Sequence, residues 1–261
     1  MSVLFDEIKK TTPPKVSQVT GRPVSKTLAG LDHLLVVLPA RVPAPLWRML
    51  PQGARVQALM RRGTKGAVPA VRTRVNNKRQ TAMYVASAKA SAETFDSLSF
   101  ARKMVAAATT EKAGTLGLWV LGFDADETER LVSHLVAAAL AAAYVMPTFK
   151  SKTPPATIRS VRILGLEERL DTSRMSAEAE GNNIVRFLTS LPANKLDAGS
   201  YTGLLKEMAA AEGWQYKKYG VNELKKLGAG AFLAVAQGNA DDSAAIVRLR
   251  YRPGSKSAAP D

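Results

Sequence analysis

The chain is expected to fold as an α/β protein, and three features carry that expectation. Strand-like and helix-like segments alternate along the first part of its 261 residues, which implies helices layered on a sheet. Leu34-Leu-Val-Val-Leu38 is an unbroken apolar run closed by Pro39, the pattern of a short buried strand. Residues 68–86 hold two strand-like runs about a polar turn, the pattern of a hairpin.

Taken in order, Pro45 to Met60 reads as a helix with Leu46, Trp47, Leu50, Val56, Leu59 and Met60 on its inner face, although Pro51 and Gly53 weaken it. Val68 to Val75 alternates Val71, Thr73 and Val75 with Arg72 and Arg74, the period of a half-exposed strand. Asn76-Asn-Lys-Arg79 is the turn, and Thr81 to Ala86 is the return strand. Glu93 to Thr109 reads as a helix and Thr115 to Leu121 as a strand. Asp124-Ala-Asp-Glu127 then resembles a capping box opening a helix to about Tyr144. Lys150 to Pro155 is the best linker candidate, because it is proline-rich, charged and free of apolar periodicity.

Thr157 to Leu164 adds a strand, and Ser176 to Leu191 a helix broken at the Leu191-Pro192 step. A helix over Ser200 to Ala211 stops at Gly213. Trp214 to Tyr219 is strand-like, Val221 to Leu227 a short helix, and Ala244 to Arg252 a strand. The expected division is an α/β domain over 1–155, a connecting strand and helix over 156–190, and a further segment over 191–261.

Composition narrows the function. Apolar residues make up 46%, enough for a real core, and 23% are charged, as in ordinary globular proteins. There are no cysteines, which removes disulfides, thiolate zinc sites and thiol catalysis, and fits a reducing cytoplasm. The start lacks a basic region followed by an apolar run, so no signal peptide is expected. The longest apolar stretch, Leu135 to Met146, falls short of the roughly 20 residues a bilayer needs. No membrane association is expected.

Charge is the abnormal quantity: 37 Lys+Arg against 22 Asp+Glu give +15. No acidic residue occurs from His33 to Ala92, while eleven basic ones do. One reading is a solvated face balanced by an acidic partner, the usual fate of a charge run. The other is nucleic-acid binding, with Arg61, Arg62, Lys65, Arg72, Arg74, Lys78 and Arg79 as the contact set. Aromatic residues that could stack on bases are sparse here.

Other polar residues read as structural. His33 and His134 are the only histidines and lack ligand spacing. Glu167-Glu168 and Asp241-Asp242 are neighbours whose side chains diverge, so each pair reads as solvated surface. Gly228 and Gly230 follow a short helix rather than a strand, so a turn or packing role is expected rather than a phosphate loop.

Residues 178–253 carry a sharper signal. Leu191-Pro-Ala-Asn-Lys-Leu196 resembles the N-x-P-x-N-x-L-T-P loop that opens the catalytic domain of leucyl (cytosol) aminopeptidases. Leu227-Gly-Ala-Gly-Ala-Phe-Leu-Ala-Val-Ala-Gln-Gly-Asn239 is similar to their LGMGALLAVGQGS segment, and Leu249-Arg-Tyr251 to their following L-x-Y. Asp197-Ala198 stands where Thr-Pro is usual, and Ala229 where Met is.

The resemblance implies a macro-like N-terminal α/β domain, a connecting helix and the first elements of an incomplete α/β aminopeptidase catalytic domain. It implies peptide substrates and a homohexamer. It also implies two divalent metals, Zn or Mn, in the intact protein, held by a VGKG-x-x-FD-x-GG strand and a later NTDAEGR segment. DNA binding is a secondary role of some members. This sequence contains neither ligand motif and reaches Asp261 about where the first ligand strand is expected. The expectation is therefore a truncated chain, inactive alone, in which no catalytic, cofactor-binding or metal-binding residue is assigned.

Overall fold

The computed structural model describes residues 3–9, 12–64, 66–111, 114–146, 158–238 and 243–252. The chain divides into two units, one of residues 12–183 and one of residues 1–11 with 184–261.

In the larger unit, β1 (Lys15–Thr20), α2 (Ser25–Ala29) and β2 (His33–Pro39) are followed by α3 (Ala44–Met49) and α4 (Gly53–Arg62). The hairpin of β3 (Val71–Arg74) and β4 (Ala82–Ala88) leads to α5 (Thr94–Thr109), β5 (Thr115–Val120), α6 (Ala125–Ala143) and β6 (Ser160–Leu166). The six strands form one sheet in the order β1-β6-β5-β2-β4-β3. Every pairing is parallel except β3 with β4.

A parallel sheet needs cover on both faces, and β2 shows how the sequence supplies it. Leu35 and Val37 enter the core built with α5 and α6, while Leu34, Val36 and Leu38 enter the core that holds Leu50 and Val56. All five are fully buried. Each such side chain contributes about 1.5–3 kcal/mol of burial free energy, so this run anchors the sheet. The strand that the sequence reading groups with the connector, β6, lies inside the sheet between β1 and β5. The candidate linker Lys150 to Pro155 falls outside the described residues.

The single helix expected over Pro45 to Met60 is two helices. The chain turns at Gln52, which takes a left-handed conformation (φ 54°). At Gly53 a Cβ would sit 1.6 Å from the Trp47 carbonyl oxygen, so only glycine fits. Pro51 and Gly53 thus end one helix and start another. The helix opening at Asp124 is as expected: the Asp124 carboxylate accepts a hydrogen bond from Glu127 N at 2.8 Å, satisfying a free helix-end donor.

The unit boundary falls within α7 (Ser173–Ser190). The smaller unit holds α1 (Val3–Lys9), α8 (Ala198–Glu212), β7 (Gln215–Gly220), α9 (Val221–Lys226), α10 (Gly230–Ala236) and β8 (Ala245–Arg250). β7 and β8 form an antiparallel two-stranded sheet, and α8 packs on both strands. α1 packs on α8 with Phe5 and Ile8 buried. Leu227, Val235, Ile246 and Tyr251 are exposed. No helix among the described residues is long and apolar enough to cross a membrane.

Candidate functional site

The segment resembling the aminopeptidase loop is a tight turn ahead of α8. Lys195 N and Leu196 N both donate to Pro192 O, at 2.8 and 3.1 Å. Asp197 caps α8 in a reciprocal box. Its carboxylate accepts from Ser200 N at 2.7 Å, and its own N–H donates to Ser200 Oγ at 2.9 Å. These bonds hold the Asp197 carboxyl below the usual aspartate range, because Ser200 N–H donates to the charged form. The departure from Thr-Pro therefore preserves the local physics. Asp replaces Thr as an N-cap acceptor, and Ala occupies the first helical position that Pro would tolerate.

The second resembling segment crosses from α9 to α10. Gly228 takes φ +70°, and Ala229 N donates back to Leu224 O at 3.0 Å, which closes α9. A Cβ at Gly228 or Gly230 would meet nothing within 4 Å. Gly228 is thus needed for backbone conformation rather than for close approach, and Gly230 opens α10. The sequence reading missed α10, whose seven residues Gly-Ala-Phe-Leu-Ala-Val-Ala include none that is buried. Their small, apolar character gives little periodicity to detect.

A two-metal centre needs a convergent set of oxygen or imidazole donors. Among the described residues no three His, Asp or Glu side chains come together. The residues present do not fit such a centre, and no chemical step is assigned to them. Glu167 and Glu168 lie exposed in a bend after β6, while Asp241 and Asp242 fall outside the described residues.

The two histidines lie in the larger unit and serve its interior. His33 opens β2 and stacks on Tyr84, ring centroids 5.6 Å apart. His134 of α6 meets Ser97 of α5, Nδ1 to Oγ 2.7 Å. Burial is the main cause that pulls both imidazoles below the ordinary 6.5. Around His134, Arg130 lowers it further while Glu127 opposes. Around His33, Glu111, Asp32 and a hydrogen bond with Ala108 oppose the shift, while Arg74 adds to it. A folded pKa below the unfolded one means that the unfolded chain binds protons first. Stability should hold above about pH 6.5 and fall as pH drops through the lowered values. Urea midpoints measured from pH 8 to 5 should show this decline, and His134→Gln should flatten it. An unchanged slope in that variant would remove His134 from the account.

The basic residues group around the hairpin, but not all are free. Arg74 donates to Glu111 Oε2 at 3.3 Å and to Gln80 O at 3.1 Å. Arg79 pairs with Asp32 at 2.9 Å and also donates to Gly30 O. Arg72 lies over the Tyr84 ring, 5.9 Å from its centroid. Arg61 and Arg62 end α4, Lys78 stands in the turn, and Lys65 falls outside the described residues. Of the seven cations proposed as a contact set, two are therefore engaged by Asp32 and Glu111. Both acids lie outside the acid-free stretch, so the sequence reading could not pair them.

Comparison with known proteins places these features. The model of the cytosol aminopeptidase family, catalytic domain, matches residues 183–260. A probable cytosol aminopeptidase of Polaromonas sp. is 34% identical over 134 residues, 50% of this chain and 26% of that relative. A second, from Albidiferax ferrireducens, is 32% identical over 160 residues, 59% of this chain and 33% of the relative. The chain thus spans about a quarter to a third of these relatives.

In three dimensions, tomato leucine aminopeptidase (a mutant form) superposes with a TM-score of 0.74 at 18% identity, covering 96% of this chain and 54% of that one. The apo leucyl aminopeptidase of Trypanosoma cruzi gives 0.68 at 17%, covering 97% and 52%. The fold is therefore shared along nearly the whole chain, including the stretch whose sequence alone resembles the family only in layout. With the family's catalytic-domain match over residues 183–260 and the leucine aminopeptidase fold around it, the chain belongs to the cytosol aminopeptidase family.

Proposed function

We propose that this chain is the N-terminal portion of a metal-dependent, leucyl-aminopeptidase-like exopeptidase that removes N-terminal residues from peptides. The supporting observation is the catalytic-domain match at 183–260 within a fold that aligns to about half of a leucine aminopeptidase. The intact enzyme would be a cytoplasmic homohexamer using two divalent metals, Zn or Mn, as Lewis acids and to generate the attacking hydroxide. The chain as given lacks the ligand motifs and would be inactive alone.

The purified 261-residue chain, supplied with Mn or Zn and a leucine-amide substrate, should show no turnover above the metal-only control. Turnover accompanied by stoichiometric bound metal would overturn the reading. A second reading is nucleic-acid binding by the basic face of the larger unit. It draws on the eleven basic residues between His33 and Ala92, and is weakened by the engagement of Arg74 and Arg79 with acids of the same unit.

A further inference from the structure

The outer side of the β3–β4 hairpin and the start of α4 enclose a concave cup of about 460 Å³, lined by Gln52, Arg55, Arg72, Arg74, Asn76 and Gln80 among others. No carboxylate is among its lining residues. Glu111 reaches Arg74 from outside, at 3.3 Å, and among the described residues neither Arg55 nor Arg72 has an ion-pair partner. Three guanidinium groups thus share one concavity with one carboxylate between them. Their mutual repulsion is relieved by an anion bearing about two charges, and forked donors match a tetrahedral oxyanion.

The cup is also held in shape. Arg74 is tied to Gln80 O, and Arg72 rests on the Tyr84 ring. The Gln52 carboxamide lies 3.2 Å from Arg74 O and 3.1 Å from Asn76 N, so with its nitrogen toward the carbonyl it joins α4 to the hairpin. Donors fixed in advance lose little entropy on binding.

We propose that this cup is a binding site for a small molecule carrying a phosphate or diphosphate group. Its volume is in the range of small-ligand pockets, and its concavity suits an end-on phosphate better than the side of a duplex. The proposal concerns the larger unit only and stands apart from peptide hydrolysis.

The test is calorimetric titration of the full chain with inorganic pyrophosphate at low and physiological salt. One saturable site is expected. Arg55→Gln and Arg72→Gln should each weaken it at least tenfold, with unchanged circular dichroism. Arg72→Lys should also weaken it several-fold, because an ammonium keeps the charge but loses the fork. Lys78→Gln, which is in the hairpin turn and not a lining residue, should change affinity less than twofold. Absence of saturable binding would overturn the proposal, as would equal losses in the Arg55, Arg72 and Lys78 variants, which would indicate diffuse attraction. A short DNA duplex separates the sources of phosphate: independent binding of duplex and pyrophosphate supports a small-ligand site. Displacement of one by the other overturns it and assigns the cup to nucleic-acid binding.

Discussion

Replacing Gly53 by alanine should destabilise the larger unit by about 3 kcal/mol or more, the upper range of overpacking. The added methyl group would lie 1.6 Å from the Trp47 carbonyl oxygen and 2.6 Å from its carbon, both backbone atoms. A side-chain clash can be relieved by a rotamer change, but this one requires α3 and α4 to separate. Gly21 supplies the control. It also has a positive φ (+69°), yet a Cβ there meets nothing within 4 Å, so Gly21→Ala should cost only the left-handed conformation, about 1–2 kcal/mol. Urea unfolding followed by tryptophan fluorescence ranks the two. If Gly53→Ala is no worse than Gly21→Ala, the corner between α3 and α4 is not built as described.

The second large effect is expected at Trp119. Its ring is 1% exposed in the centre of the sheet, and truncation to alanine should cost about 3–5 kcal/mol through lost burial and the cavity left behind. Trp119→Phe should cost much less, because the indole Nε1–H has no hydrogen-bond partner among the described residues and its removal ends an unsatisfied buried donor. Gly165 faces this ring: a Cβ there would lie 2.5 Å from Trp119 Nε1, at a φ of +78°. Gly165→Ala should therefore be strongly destabilising beside Trp119 and less so beside Phe. A double-mutant cycle reads that coupling. Strict additivity of the two substitutions would show that the ring and the glycine do not touch.

Most elements were legible because their signal is local. The apolar run 34–38, the alternation at 71–75 and the cap at Asp124 each declare themselves through neighbouring residues. β1 was not read, since Lys15-Val-Ser-Gln-Val-Thr20 carries two apolar residues and owes its place to pairing with β6, about 145 positions away. α1 showed only Phe5 and Ile8 as a faint helical pair, and α10 had too little contrast between faces. The candidate residues fared similarly. The motifs near 191 and 227 lie close along the chain and could be matched in order, whereas the cup of Arg55, Arg72 and Arg74 exists only after α4 folds against the hairpin.

The sequence by itself determined the class of fold, the acid-free basic stretch and the family to which residues 183–260 point. Each follows from composition, periodicity or spacing that the chain carries unfolded. Tertiary structure alone decided that β6 sits inside the sheet, that Asp32 and Glu111 neutralise Arg79 and Arg74, and that Ser97 meets His134. Those outcomes depend on distances between residues tens of positions apart, which only the closing of the sheet and the docking of its helices can fix.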